Sequence, residues 1–126
     1  QFDTWCLKPT QRILNSIDNK VPVIGFPRGA SLESYIKYSN LENMSAISLD
    51  EKFSLKNFSL LNQKITFQGN LNPELLLGDQ EDLVKKTKEI LLAFEDYPHI
   101  FNLGHGVLPT TPVENVNLMI ETIRRA

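Results

Sequence analysis

The sequence holds 126 residues, of which 41% are hydrophobic and 22% charged, with a net charge of −2; that composition suits one globular domain. It offers no clustered basic surface for a nucleic acid and no apolar run near the ~20 residues that span a bilayer. A single cysteine, Cys6, excludes a disulfide within the chain, and Gln1-Phe2-Asp3-Thr4-Trp5 does not read as a secretory leader, so the expected compartment is a reducing cytoplasm.

Short β-rich runs alternate with segments of helical period, the pattern of βα units on a parallel sheet. Residues 1–5 read as a first strand; no Met precedes them, and the chain is expected to start inside a longer fold. Pro9 then falls in the first turn of a helix with Ile13, Leu14 and Ile17 spaced three and four apart. Residues 21–26 are apolar without alternation, as in a strand buried on both faces. Pro27-Arg28-Gly29-Ala30 breaks that run, and Ser31 can cap a helix carrying Leu32, Tyr35 and Ile36. Residues 46–49 make a third strand that stops at Asp50. Residues 51–61, with Phe53, Leu55, Phe58 and Leu61, suggest a short helix around a turn. A fourth strand covers 65–69, after which Asn72 caps a helical turn with Pro73 in its first position.

The clearest helix spans about 80–94, with Asp79 as its cap and Leu83, Val84, Thr87, Ile90, Leu91 and Phe94 as its buried stripe. A fifth strand over 100–103 leads into Gly104-His105-Gly106. Thr111-Pro112-Val113-Glu114 then reads as a capping box opening a last helix, whose face is Val116, Met119, Ile120 and Ile123. About five strands, each followed by helix, amount to roughly half of an eight-stranded (β/α)8 barrel, which needs about 250 residues. The expected fold is therefore α/β, a half-barrel with two open sheet edges and an uncovered interior.

In such folds chemistry gathers in the loops after the strands. His105, between two glycines, is placed to line a pocket at a strand mouth and hold a carboxylate or pass a proton; an incidental turn is the plainer reading. Arg28 presents a planar fork suited to an anion, or is simply solvated. Thr4 can donate a hydrogen bond or be satisfied by backbone. Asp50 can act as acid or base, though capping is the commoner role. His99, preceded by Pro98 at a strand entrance, reads as surface or structural, and Lys85, Lys86 and Lys88 as the wet face of a helix. One cysteine and two histidines six residues apart make a poor metal set, and Gly104-His105-Gly106 is neither a phosphate-binding loop nor a dinucleotide fingerprint.

The run Phe101-Asn102-Leu103-Gly104-His105-Gly106-Val107-Leu108-Pro109, followed by Thr111-Pro112-Val113-Glu114-Asn115-Val116, closely resembles the C-terminal signature of uroporphyrinogen decarboxylases. Phe67-Gln68-Gly69-Asn70-Leu71-Asn72-Pro73 is similar to the family's gly-asn-x-asp-pro loop, with Asn72 in the usual aspartate's place. Phe2-Asp3-Thr4-Trp5 is similar to its phe-asp-ser/thr-trp strand end.

The resemblance implies a TIM barrel, with residues 1–126 as the C-terminal portion of a single barrel domain. It implies a cytoplasmic homodimer that removes carbon dioxide from the four acetate side chains of uroporphyrinogen III, giving coproporphyrinogen III without metal or organic cofactor. Thr4 and His105 match substrate-binding positions; Arg28 joins them by location. The family's arginine-containing loop, its central aspartate and its tyrosine belong upstream of Gln1, so no catalytic residue is assigned within this chain and the polypeptide alone is expected to be inactive. The stretch between Trp5 and Val21 is also shorter than in relatives. Two other readings stand beside this one: a non-catalytic truncated fragment, and a corrinoid- and zinc-dependent methyltransferase of the same superfamily.

Overall fold

Where the apolar side chains fall along four short strands decides the architecture. The computed structural model describes residues 1–18 and 20–126. Strands β1 (Ile24–Gly25), β2 (Ala46–Ser48), β3 (Thr66–Gln68) and β4 (His99–Ile100) form one parallel sheet in chain order. Helix α1 (Lys8–Ser16) precedes the sheet and α4 (Val113–Arg124) follows it; α2 (Leu32–Ser39) connects β1 to β2, a tighter helical turn at Leu55–Leu60 connects β2 to β3, and a turn at Pro73–Leu77 with α3 (Gln80–Ala93) connects β3 to β4. Parallel neighbours require such crossovers.

Register places Gly25, Ile47, Phe67 and His99 in one row, and this row meets the helical layer. Ile47 and Phe67 are fully buried there. The Phe67 ring lies 5.8 Å from those of Phe58 and Phe94, and burying such a ring is worth roughly 2–3 kcal/mol. A Cβ on Gly25 would fall 2.5 Å from the Tyr38 ring, so glycine lets α2 sit against β1. The opposite face holds Ile24, Ala46 and Thr66 in one row and Ser48, Gln68 and Ile100 in the next. Gln68 Nε2 donates to Ser48 Oγ at 3.1 Å. Ala46 and Ser48 are buried, while Ile24 and Ile100 at the margins stay 47% and 42% exposed. Helices thus cover one face. Among the described residues, no strand pairs with the outer edge of β1 or β4.

The sheet has four strands rather than about five, because residues 1–5 are not a strand. Asp3–Leu7 forms a wide helical turn, closed by the Lys8 N–H on the Asp3 carbonyl, that runs directly into α1. Pro9 lacks an N–H, and its ring crowds the carbonyl four residues back, that of Trp5; a wider turn relieves this. Helical spacing also turns Phe2, Cys6, Leu7 and Leu14 toward the core, whereas Ile13, expected inside, is largely exposed. The expected strand over 21–26 contracts to Ile24–Gly25. The expected strand over 100–103 is realised as β4 plus a single bridge between Leu71 and Leu103.

Three caps form where the side chains predict them. Ser31 Oγ accepts the Ser34 N–H, Asn72 Oδ1 that of Glu74, and Asp79 Oδ1 those of Glu81 and Asp82. The capping box at α4 does not form. Pro112 is extended (ψ 131°) and is itself the cap residue, so the helix starts one position late. Asn115 then occupies the third helical position, and its side chain is committed elsewhere: Nδ2 donates to Leu76 O, and Oδ1 accepts from Gln80 Nε2. Thr111 Oγ1 is left buried without a partner.

Candidate functional site at the strand mouths

Four loops leave the C-terminal ends of the strands, at 26–31, 49–54, 69–72 and 101–106, and one aspartate stitches most of them together. Asp50 is 3% exposed. Its Oδ1 accepts the N–H groups of Lys52 and Phe53, both at 3.0 Å, and so caps its own turn as expected. Its Oδ2 accepts the Gly29 N–H at 2.7 Å, across 21 residues. The Asp50 N–H donates to the Tyr35 hydroxyl at 3.2 Å, and burial pushes that phenol above its ordinary pKa. Asn70 Nδ2 donates to the carbonyls of Asp50 (2.8 Å) and Phe53 (2.9 Å). The Gly104 N–H donates to Leu71 O at 2.7 Å.

Two glycines let these loops touch. Gly69, at φ +117°, sits where a Cβ would lie 2.5 Å from the Leu49 carbonyl; Gly104 sits where one would overlap the Glu51 backbone. Only glycine satisfies both the backbone angle and the close approach at position 69.

Arg28 and His105 belong to loops joined by this network. Arg28 is exposed on a turn whose next residue, Gly29, has φ +73°. His105 is half-exposed, with Nδ1 2.9 Å from Gly106 O. A carbonyl can only accept, so that contact places the proton on Nδ1. Nε2 is then left to accept when the ring is neutral and to donate to a carboxylate when it is charged. Two clefts open at these loops: one of about 190 Å³ lined by Gly29, Tyr35, Asp50 and Asn57 among others, and one of about 230 Å³ lined by Glu51, Lys56, Asn70, Asn72 and Lys86 among others. Neither includes Arg28 or His105. The sheet that would wall a deeper cavity stops at four strands.

Thr4 stands apart from both. It is exposed on the helical turn before α1, not at a strand end. Neighbouring Asp3 pairs with Lys37 at 3.4 Å, and Phe2 packs near Tyr38, both in the last turn of α2. That is the end of α2 remote from the Arg28 loop. The 1–5 stretch reads as a strand because it is β-prone; helical burial of Phe2, Cys6 and Leu7 overrides it.

His99 is structural. Its Nε2 donates to Gly69 O at 2.6 Å, and the ring stacks on Phe94 at 4.2 Å. Glu51 escaped the sequence reading: its Oε2 is buried and unpartnered beside Gly104, and nothing in the local sequence marks it. Among the described residues, no group of three or more His, Cys, Asp and Glu comes together in metal-binding proximity.

Fold and site together define a parallel βα protein of the TIM-barrel type, with its polar groups gathered at the C-terminal mouth of the sheet. Comparison with known proteins carries this further. The family model for uroporphyrinogen decarboxylase (URO-D) matches residues 1–126. The uroporphyrinogen decarboxylase of Wolbachia sp. subsp. Brugia malayi (strain TRS) is 40% identical over 126 residues, covering 98% of this chain and 36% of that protein. That of Rickettsia bellii (strain RML369-C) is 38% identical over 127 residues, covering 98% and 37%. A solved methyltransferase from Methanosarcina mazei superposes with a TM-score of 0.82 at 20% identity, over 98% of this chain and 36% of that one, and supports the fold. The chain belongs to the uroporphyrinogen decarboxylase family, and it spans about a third of the length of these relatives.

Proposed function

We propose that this chain is the C-terminal portion of an enzyme that removes carbon dioxide from the acetate side chains of uroporphyrinogen III to give coproporphyrinogen III. One observation supports it most: His105, in the motif most specific to the family, shares a hydrogen-bonded loop network with Arg28. A guanidinium and an imidazole with a free Nε2, held on adjoining loops, suit a macrocycle bearing carboxylates around its rim. Arg28 binds one such carboxylate. His105 binds a second or delivers a proton to the pyrrole ring; the cation so formed accepts the C–C bond pair as carbon dioxide leaves, and protonation of the resulting methylene with loss of the ring proton gives the methyl group. Thr4 is a third anchor on motif grounds and gains no support from its position at the far end of α2.

In this reading the chemistry needs groups supplied by the other two-thirds of the relatives' length, and no metal or organic cofactor. The whole enzyme acts as a cytoplasmic homodimer. No helix of the described residues is long and apolar enough to cross a membrane, which accords with that setting.

The test is a fluorescence titration of the chain with uroporphyrin, the oxidised octacarboxylate, beside an assay of coproporphyrinogen formation. The chain binds the probe and does not turn over substrate, and His105→Ala weakens binding about tenfold, as the loss of a charged hydrogen bond entails. Wild-type affinity in His105→Ala refutes the assignment. Robust turnover by the chain alone refutes the need for the missing groups. Absence of any binding leaves a non-catalytic fragment as the better description.

A further inference from the structure

We propose that Asp50 is a positioning residue that sets the spacing between Arg28 and His105, with Asn70 as the relay; the inference rests on the reading of those two side chains as carboxylate anchors. A cap needs only Oδ1, which already takes the Lys52 and Phe53 amides. Oδ2 is committed instead to Gly29, the residue after Arg28, in a loop from a different βα unit. The same residue's carbonyl takes Asn70 Nδ2, and the next residue along, Leu71, holds Gly104 through its own carbonyl. The path from Arg28 to His105 therefore runs Gly29, Asp50, Asn70, Leu71, Gly104, with every step a hydrogen bond of 2.7–2.8 Å or a peptide bond.

Burial makes the path stiff. Asp50, Asn70 and Leu71 are 3%, 6% and 0% exposed, so water does not readily substitute for a broken link. At Gly104 the loop rests on the Glu51 backbone with no room for a Cβ, so a shift of residues 50–51 is transmitted by contact as well. Arg28 is exposed, and the side-chain hydrogen bond of half-exposed His105 goes only to Gly106 in its own loop. Their separation is inherited from this buried frame, and anchors displaced by about 1 Å lose much of their value.

Amide hydrogen exchange read by mass spectrometry with residue-level fragmentation, on the chain below the concentration at which it associates, tests the frame without any ligand. Asp50→Asn replaces one accepting oxygen by a donor. It speeds exchange at Gly29 and at Gly104 alike, by at least about tenfold, while Leu83 and Ile90 in α3 keep their protection. Asn70→Ser speeds Gly104 and leaves Gly29 near the wild-type rate, an asymmetry that general destabilisation does not produce. Gly104 unchanged in both variants overturns the proposal. Should Asp50→Asn fail to fold, Asn70→Ser decides alone.

Uroporphyrin titration then tests the spacing role. Asp50→Asn weakens binding roughly tenfold in the wild-type background and has no further effect in Arg28→Ala, since it acts through that loop. Full additivity overturns the spacing role while leaving the anchors intact. Indifference of the affinity to Arg28→Ala and His105→Ala together instead overturns the anchor reading, and the exchange result still reports on the frame.

Discussion

His99 and His105 lie six residues apart in the same segment and meet opposite environments. Stacking on Phe94 and the bond to Gly69 O half-bury the first ring. Desolvation holds its pKa below the ordinary histidine value, and the backbone bond offsets this only in part. The folded state therefore binds fewer protons than the unfolded state between the depressed pKa and the usual value of about 6.5. The stability this histidine contributes is intact above about pH 6.5 and is lost as pH falls through the folded pKa. Urea midpoints at pH 7.5 and pH 5 differ more in the wild type than in His99→Gln; equal differences would show that this ring is not the titrating group. Pro98 and the strand entrance left a surface or a structural role open for His99, and the stacking on Phe94 decides for the second. Its support of Gly69 was not legible, because the two are 30 residues apart. The pairing of Asp50 with Gly29 escaped for the same reason.

Helices and strands were legible where local spacing and packing agree. α3 is the example: its period, cap and end all point one way, and Leu83, Thr87 and Ile90 are buried as expected. Agreement fails at both ends of the chain. In residues 1–5 the β-prone side chains compete with Pro9 and with the helical spacing of Phe2, Cys6 and Leu7, and the helix wins. At α4 the capping box is present as letters, but Asn115 is drawn to Leu76 and Gln80. The two helix starts thus respond oppositely to loss of a polar side chain. Asp79→Ala lowers stability by about 1 kcal/mol, the ordinary cost of removing a cap. Thr111→Val is neutral or stabilising by up to about 1 kcal/mol, since it deletes a buried hydroxyl with no partner. Chemical denaturation of both variants checks the pair, and a destabilised Thr111→Val would restore the capping box.

At the scale of the molecule, the half-barrel expectation holds in kind and differs in count: a one-sided parallel sheet of four strands. Ile24, Phe26 and Ile100 are 47%, 42% and 42% exposed, and among the described residues no strand pairs with the outer edge of β1 or β4. Exposed apolar groups beside open backbone edges template association. The isolated chain forms oligomers or aggregates at micromolar concentration, read by light scattering after gel filtration; Phe26→Lys with Ile100→Lys reduces them. A monodisperse monomer would contradict this. The hydrogen-bonded frame was the part of the site least legible, since Gly29, Asp50, Asn70 and Gly104 come from four separate segments.

Strands added in the order they are synthesised have one more consequence. Each new strand of this sheet docks on the one just before it, so no early segment must wait for a distant late one. The core around Ile47 and Phe67 can settle while the ribosome is still reading the codons beyond, and the loop carrying His105 seats after it, ahead of α4.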